Sequence, residues 1–287
     1  MGKITPQAEN LRLLLDGPEL LMLPSCFDAL SAKLIGQAGF AAAFVSGFAV
    51  SAARLGMPDT GLISFGEMRD QVRDICGIAP DVAMVVDGDT GYGNAINAQR
   101  TVREHARAGA ACVMIEDQVS PKRCGHTRGK SVVDRSEARL RVRAAVEAAH
   151  EAGILLMART DARAVHGFDD ALERCRMFAD EGADLIFLEA PETEDEMSRA
   201  CRGVDRPMMA NMITGGRTPV LSRTALRDIG YRLAVYPMVP LGSVIAAMQT
   251  ALAALRDGAP PVTDFEEIKR VAGFGEYYAS EERYKEG

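Results

Sequence analysis

Val82-Ala-Met-Val-Val-Asp-Gly-Asp-Thr-Gly-Tyr-Gly-Asn94 is the stretch from which the rest of the chain can be read. Its first half, Val82–Val86, is an unbroken apolar run rich in β-branched residues, the pattern of a strand buried on both faces in a parallel sheet. The run ends in Asp87 and Asp89, one residue apart, which strand alternation turns toward one side at the strand's mouth. Gly88, Gly91 and Gly93 then let the backbone turn sharply and approach a ligand closely. Two carboxylates aimed at one point repel unless a cation lies between them or one is protonated. Oxygen ligands with room for water and substrate suit Mg²⁺ or Mn²⁺. An Asp-rich turn that only caps the next helix is the other reading.

The same theme recurs along the chain: an apolar run ending in a polar residue, a loop, then a helical pattern. The runs are Leu21–Pro24, Ala42–Val45, Val82–Val86, Ala111–Ile115, Ile154–Met157, Leu185–Leu188, Pro207–Ala210 and Leu233–Val235. Between them lie amphipathic segments such as Ala95–Gly109, Ser136–Gly153, Ala171–Gly182 and Arg223–Ile229, several closing on the glycine that a helix C-terminus favours. Asp134 with Glu137 reads as a capping box. Strict alternation implies parallel pairing with right-handed crossovers. Eight such units close most naturally into a (β/α)₈ TIM barrel, with a doubly wound open sheet as the runner-up. A length of 287 residues suits one barrel domain spanning 1–287.

Composition narrows the function. Apolar residues at 47% and charged residues at 25% are ordinary globular values that allow a large core. A net charge of −7 excludes a nucleic-acid partner, which needs a basic face. Six cysteines with no C-x-x-C pair fit a reducing cytoplasm. No basic start with an apolar core opens the chain, and the run from Gly39 to Ala53 is read as the longest weakly polar one, too short to span a bilayer. The expectation is a soluble cytoplasmic protein without a membrane partner.

A barrel demands that functional side chains cluster past the C-terminal ends of its strands. Ser46 and Gly47 follow the second run, Asp87 and Asp89 the third, Glu116 and Asp117 the fourth, Arg159 the fifth, Glu189 the sixth and Asn211 the seventh. Each alone could cap a helix; strand after strand, they describe one pocket. Asp87, Asp89 and Glu116 are the candidate Mg²⁺ ligands, and Arg159 is placed to hold a substrate carboxylate bidentately. There is no Walker A loop, no G-x-G-x-x-G after a first strand and no Lys at a strand end, so nucleotide cofactors and Schiff-base chemistry are unsupported. The fourth loop, Gln118–Ser131, is long, glycine-containing and carries five basic or imidazole side chains, the make-up of a lid. Within it Cys124 lies between Arg123 and His126, and neighbouring positive charge primes a thiol for proton transfer.

These pieces carry a resemblance. Ser46-Gly47, Gly56-Met-Pro-Asp-Thr-Gly61, Asp87-Gly-Asp-Thr-Gly-Tyr-Gly93, Ile115-Glu-Asp-Gln118, Lys122-Arg-Cys-Gly-His126, Ala158-Arg-Thr-Asp161, Glu189-Ala190 and Ala210-Asn211 resemble the isocitrate lyase/phosphoenolpyruvate mutase superfamily. Lys122-Arg-Cys-Gly-His126 is similar to its carbon–carbon lyase branch, the isocitrate, methylisocitrate and 2-alkylmalate lyases. The resemblance implies Mg²⁺ near Asp87, Asp89 and Glu116 with Asp59 nearby, and a substrate carboxylate held by Arg159 and the backbone amides of Ser46, Gly47 and Phe48. It implies that Cys124 protonates the leaving fragment, with Glu189, Asn211, Gly125 and His126 around the substrate. Three positions depart from the pattern. Phe44 stands where these lyases usually carry Tyr, Thr214 where the alkylmalate branch has Glu, and Pro240 where the acetylhydrolases have Ser. The implied activity is cleavage of a 2-hydroxydicarboxylate, with oxaloacetate hydrolysis or decarboxylation, or a phosphonate-processing mutase, as alternatives. The aromatic C-terminal stretch, within 255–287, could by itself be a helix packed on its own barrel; the resemblance implies instead a helical segment swapped between subunits of a homotetramer.

Overall fold

Eight parallel strands arise where the apolar runs lie: β1 (Leu21–Cys26), β2 (Ala42–Val45), β3 (Ala83–Asp87), β4 (Cys112–Glu116), β5 (Leu155–Thr160), β6 (Leu185–Leu188), β7 (Met209–Asn211) and β8 (Leu233–Tyr236). The computed structural model describes residues 2–125, 129–260 and 263–285. Hydrogen-bonded neighbours run β6-β5-β4-β3-β2-β1-β8-β7, and a parallel bridge between Ile186 and Met208 joins the two ends. That bridge closes the sheet, so the open doubly wound alternative is overturned and the (β/α)₈ barrel stands.

Strands β2 to β7 are buried on both faces, β8 in most part and β1 in part, and alternation sorts their side chains into two cores. Phe44, Val85, Met114, Met157, Phe187 and Val235 pack together in one cluster, which Leu11 and Leu15 of the helix Pro6–Asp16 join. Val45, Val86, Val113 and Leu156 pack in a second cluster with helical residues such as Val72, Val102, Val142 and Phe178. Both faces being apolar is why each strand reads as a continuous run.

Helix starts are fixed by caps. Ser64 and Glu67 form a reciprocal box, as do Asn94 and Asn97. Asp134 accepts the Glu137 amide at 2.8 Å, but the Glu137 carboxylate turns to Arg141 at 2.9 Å, so the predicted box at this helix is half built.

The barrel unit runs from Met1 to Leu241, and Gly242–Gly287 forms a second unit. The latter contains most of the helix Val239–Arg256 and the helices Phe265–Ala272 and Phe274–Glu282. Val239–Arg256 corrects the reading of Gly39–Ala53 as the longest weakly polar run: by length and composition it is apolar enough to cross a membrane. Its apolar side chains alternate with Gly, Ser, Ala, Gln and Thr, which dilutes the signal. Gly39–Ala53 instead breaks into β2, a short helix Gly47–Val50 and a π-helical turn.

Candidate active site

β3 delivers Asp87 at its last residue, and the chain then turns through Asp89 at φ 50°. The two carboxylates therefore come together through a left-handed turn and not, as the sequence reading had it, through strand alternation. The Asp89 amide donates to Asp87 Oδ1 at 3.0 Å, and the Gly47 amide to Asp87 Oδ2 at 3.2 Å. A β-carbon on Gly47 would lie 2.7 Å from Asp87 Oδ2 and 3.4 Å from Asp89 Oδ1, so both acids crowd a position only glycine can fill. Tyr92 and Ala190 also take positive φ, 58° each. Such backbone costs on the order of 1–3 kcal/mol per residue and gathers at functional sites.

The counter-charge to these acids is Lys122. Its ammonium sits 2.7 Å from Asp59 Oδ2 and 2.7 Å from Asp89 Oδ1, with all three side chains only 5% exposed. Burial alone would depress this lysine, but Asp89, Asp87 and Asp59 outweigh it and hold it well above the usual range. Burial pushes Asp87 up to about 6 against the pull of Lys122. Glu116 is raised too, by burial, against the pull of Arg159. Among the described residues no hydrogen bond reaches Asp59 Oδ1 or either Glu116 oxygen, although Arg159 Nε lies 3.3 Å from Glu116 Oε2.

β5 supplies Arg159, half of whose fork is taken by Asp161. Nε donates to Asp161 Oδ2 at 2.8 Å and Nη2 to Asp161 Oδ1 at 3.1 Å, while Glu189 Oε2 lies 3.2 Å from Nη2. The guanidinium also stands 5.3 Å over the Phe187 ring. Asn211 Nδ2 reaches both Glu189 oxygens at 3.4 Å. Asp117, next to Glu116, serves the frame instead: it accepts from Thr160 Oγ1 at 2.7 Å and from Arg174 Nη1 at 3.1 Å.

These groups surround a cavity of about 280 Å³. Its lining is mixed: polar from Ser46, Asp59, Asp87, Lys122, Arg159, Glu189 and Asn211, and apolar from residues such as Phe44, Phe48, Phe187, Val235 and Met238. Cys124 and Gly125 of the fourth loop also line it. Among the described lining residues Asp89, Glu116, Thr214 and Pro240 do not figure; the two acids are each in contact with a lining cation, Asp89 with Lys122 and Glu116 with Arg159. The Ser46 amide donates to the Cys26 carbonyl at 3.3 Å, and the Gly47 amide is engaged by Asp87. His126 lies outside the described residues.

The described part of the fourth loop is tied to itself and reaches the cavity with Lys122, Cys124 and Gly125. Val119 donates to the Ser131 carbonyl at 2.9 Å, and the Gln118 side chain exchanges two bonds with the Arg123 backbone, at 2.8 and 3.0 Å. A family model described as phosphoenolpyruvate phosphomutase matches residues 11–256. The chain belongs to the phosphoenolpyruvate mutase/isocitrate lyase superfamily. Within it, the chain is 41% identical over 250 residues to the 2,3-dimethylmalate lyase of Eubacterium barkeri, covering 87% of this chain and 86% of that one. A structure of oxaloacetate acetylhydrolase with 3,3-difluorooxalacetate superposes with a TM-score of 0.92 at 33% identity, covering 96% of each chain. A structure of phosphonopyruvate hydrolase with oxalate and Mg²⁺ gives 0.86 at 25% identity, over 98% of this chain and 99% of that one.

Lys122 is the residue that the sequence reading left without a role. The sequence carried no distinct signal for it, since its partner Asp59 is 63 residues away and a lysine in a basic loop ordinarily faces solvent.

Proposed function

We propose that this protein is a Mg²⁺-dependent carbon–carbon lyase that cleaves a 2-hydroxydicarboxylate of the 2-alkylmalate or methylisocitrate type into a 2-oxo acid and a carboxylate. The observation that carries it is the meeting of Cys124, Arg159 and the Asp59–Asp87 carboxylates in one cavity. The relative named 2,3-dimethylmalate lyase supports the reaction class.

The residues present fit a divalent cation. Among the described residues no three His, Cys, Asp or Glu side chains converge as a ready-made metal cluster. Yet Asp87 faces the cavity, and unbonded oxygens of Asp59 and Glu116 lie buried nearby, a donor set suited to a cation that keeps several of its waters. Asp87, with Asp59, Asp89 and Glu116, would hold Mg²⁺, which supplies positive charge where the substrate's 2-oxygen becomes negative. The phosphonopyruvate hydrolase structure with Mg²⁺ supports this choice.

Arg159 would bind the substrate carboxylate, sharing its fork with Asp161. Phe44 offers no proton acceptor, so the 2-hydroxyl proton passes to a carboxylate facing the cavity, Asp59 or Glu189. Collapse of the alkoxide to a ketone then breaks C2–C3, and the second fragment leaves as an aci-carboxylate. Cys124 is on hand to protonate its carbon. The alkyl substituent would lie along Phe44, Phe48, Val235 and Met238, where burying each CH₂ contributes about 0.8 kcal/mol. The assembly we infer is a cytoplasmic homotetramer in which exposed apolar side chains of the second unit, such as Met248 and Leu252, are covered by another subunit.

Cys124→Ser tests the reading. A hydroxyl is a far weaker acid, so kcat should fall on the order of 10²-fold or more while KM changes little. EDTA should abolish turnover and Mg²⁺ restore it. A Cys124→Ser enzyme with near-normal kcat would overturn Cys124 as the acid, and oxalate and acetate formed from oxaloacetate in place of a 2-oxo acid from a 2-hydroxydicarboxylate would favour the hydrolase reading.

A further inference from the structure

Lys130 lies at the far end of the fourth loop and is not a cavity-lining residue, yet its side chain is only 2% exposed. Its ammonium donates to Asp161 Oδ1 at 2.8 Å and also to the Gly125 carbonyl. Asp161, fully buried, is the carboxylate that takes Nε and Nη2 of Arg159. Asp161 is itself fixed to the barrel, its amide donating to Asp117 Oδ1 at 3.0 Å. Gly125 closes the circuit from the other side. A β-carbon there would lie 2.5 Å from Arg159 Nη2 and 2.6 Å from Glu189 Oε2, so the loop backbone rests directly on the guanidinium.

Burying a flexible lysine is unfavourable in both desolvation and rotamer entropy, and buried ion pairs of this kind add little net stability compared with apolar packing. What such a pair does well is fix one geometry. We propose that Lys130 is a positioning residue: through Asp161 and the Gly125 carbonyl it holds the Cys124–Gly125 segment in register with Arg159. The guanidinium and the thiol-bearing segment then share one buried carboxylate as their common reference. This rests on the reading of Cys124 as the acid, since register matters most where a proton must reach a particular carbon. A misplacement of about 1 Å can lower a rate roughly 10²-fold without weakening binding in proportion.

The test compares Lys130→Met, which removes the ammonium at similar length, with Lys130→Arg, which keeps a donor able to reach both oxygens. Two quantities are read: kcat and KM on 2,3-dimethylmalate with Mg²⁺, and the rate at which iodoacetamide alkylates Cys124, followed by peptide mass spectrometry. Lys130→Met should lose about 10- to 10²-fold in kcat with KM within roughly threefold of the parent. Its Cys124 should alkylate several-fold faster, while Lys130→Arg recovers most of both. Parent-like kcat and alkylation in Lys130→Met would overturn the proposal, as would equal kcat losses in both variants with alkylation unchanged. If the parent cleaves no 2-hydroxydicarboxylate, the lyase reading fails by itself. The alkylation rates still decide the tether: faster in Lys130→Met supports it, unchanged overturns it.

Discussion

Replacing Lys122 by Met removes the only ammonium paired with Asp59 and Asp89 among the described residues and leaves a side chain of similar length. The lysine is 5% exposed and makes two contacts of 2.7 Å, and water entering its place from the cavity would bring no charge to replace the ammonium. Removing one partner of a buried ion pair costs about 3–5 kcal/mol, because the charge left behind is uncompensated. Here Asp59, Asp87 and Asp89 are left together, and proton uptake by one of them would keep the loss within that range. In a chain of this size each kcal/mol moves Tm by roughly 2–4 °C, so the variant should melt about 6–20 °C below the parent at pH 7. Adding MgCl₂ returns positive charge to the same acids, and the variant should recover more of its Tm than the parent gains. Circular dichroism melts with and without MgCl₂ measure both. A variant that melts within about 2 °C of the parent would refute the electrostatic account.

Gly125→Ala should raise KM by about tenfold or more while the fold persists, since its β-carbon would meet Arg159 Nη2 at 2.5 Å and overpacking costs roughly 1–3 kcal/mol; parent-like KM would count against the loop resting on Arg159. His105 is fully buried beside Phe65, at 5.6 Å between ring centroids, and burial pushes it down to about 4. Its folded value lies below that of the unfolded chain, near 6.5, so the unfolded state binds the extra proton between those limits. The contribution is therefore complete above about pH 6.5 and is lost as pH falls toward 4, by about 3 kcal/mol at roughly 1.4 kcal/mol per pH unit. Urea titrations should show this loss in the parent and not in His105→Leu; equal losses in both would remove His105 as the cause. Met248→Glu with Leu252→Glu places charge on side chains 57% and 61% exposed in the second unit, and should lower the mass seen by light scattering if a subunit covers them. A parent that is already monomeric would end the tetramer reading.

The barrel was legible because both faces of each strand are apolar, so Val82–Val86 and its counterparts stand out as unbroken runs. The site was legible to the extent that strand ends carry it: Asp87, Arg159, Glu189 and Asn211 all face one cavity. The turn that brings Asp89 beside Asp87 was not legible, since φ 50° at a non-glycine residue leaves no periodic trace. Nor was the Lys122–Asp59 pair, whose partners are 63 residues apart. A lysine in a basic loop ordinarily means solvent, and only closure of the loop over buried acids reverses that meaning. Asp117 shows the opposite error: it looks like its neighbour Glu116 in sequence but faces Thr160 and Arg174. The uncharged run from Val239 to Leu255 was overlooked because small and polar residues interrupt it.

The central claim is tested most directly by incubating the protein with 2,3-dimethylmalate and Mg²⁺ in D₂O and analysing both products. Cleavage between C2 and C3 with protonation by Cys124 gives pyruvate and propionate in equal amounts, the propionate carrying one deuterium at C2. EDTA should abolish both products, and Cys124→Ser should slow both together. Absence of pyruvate from this substrate and its alkylmalate and methylisocitrate relatives, with oxaloacetate instead yielding acetate and oxalate, would contradict the account.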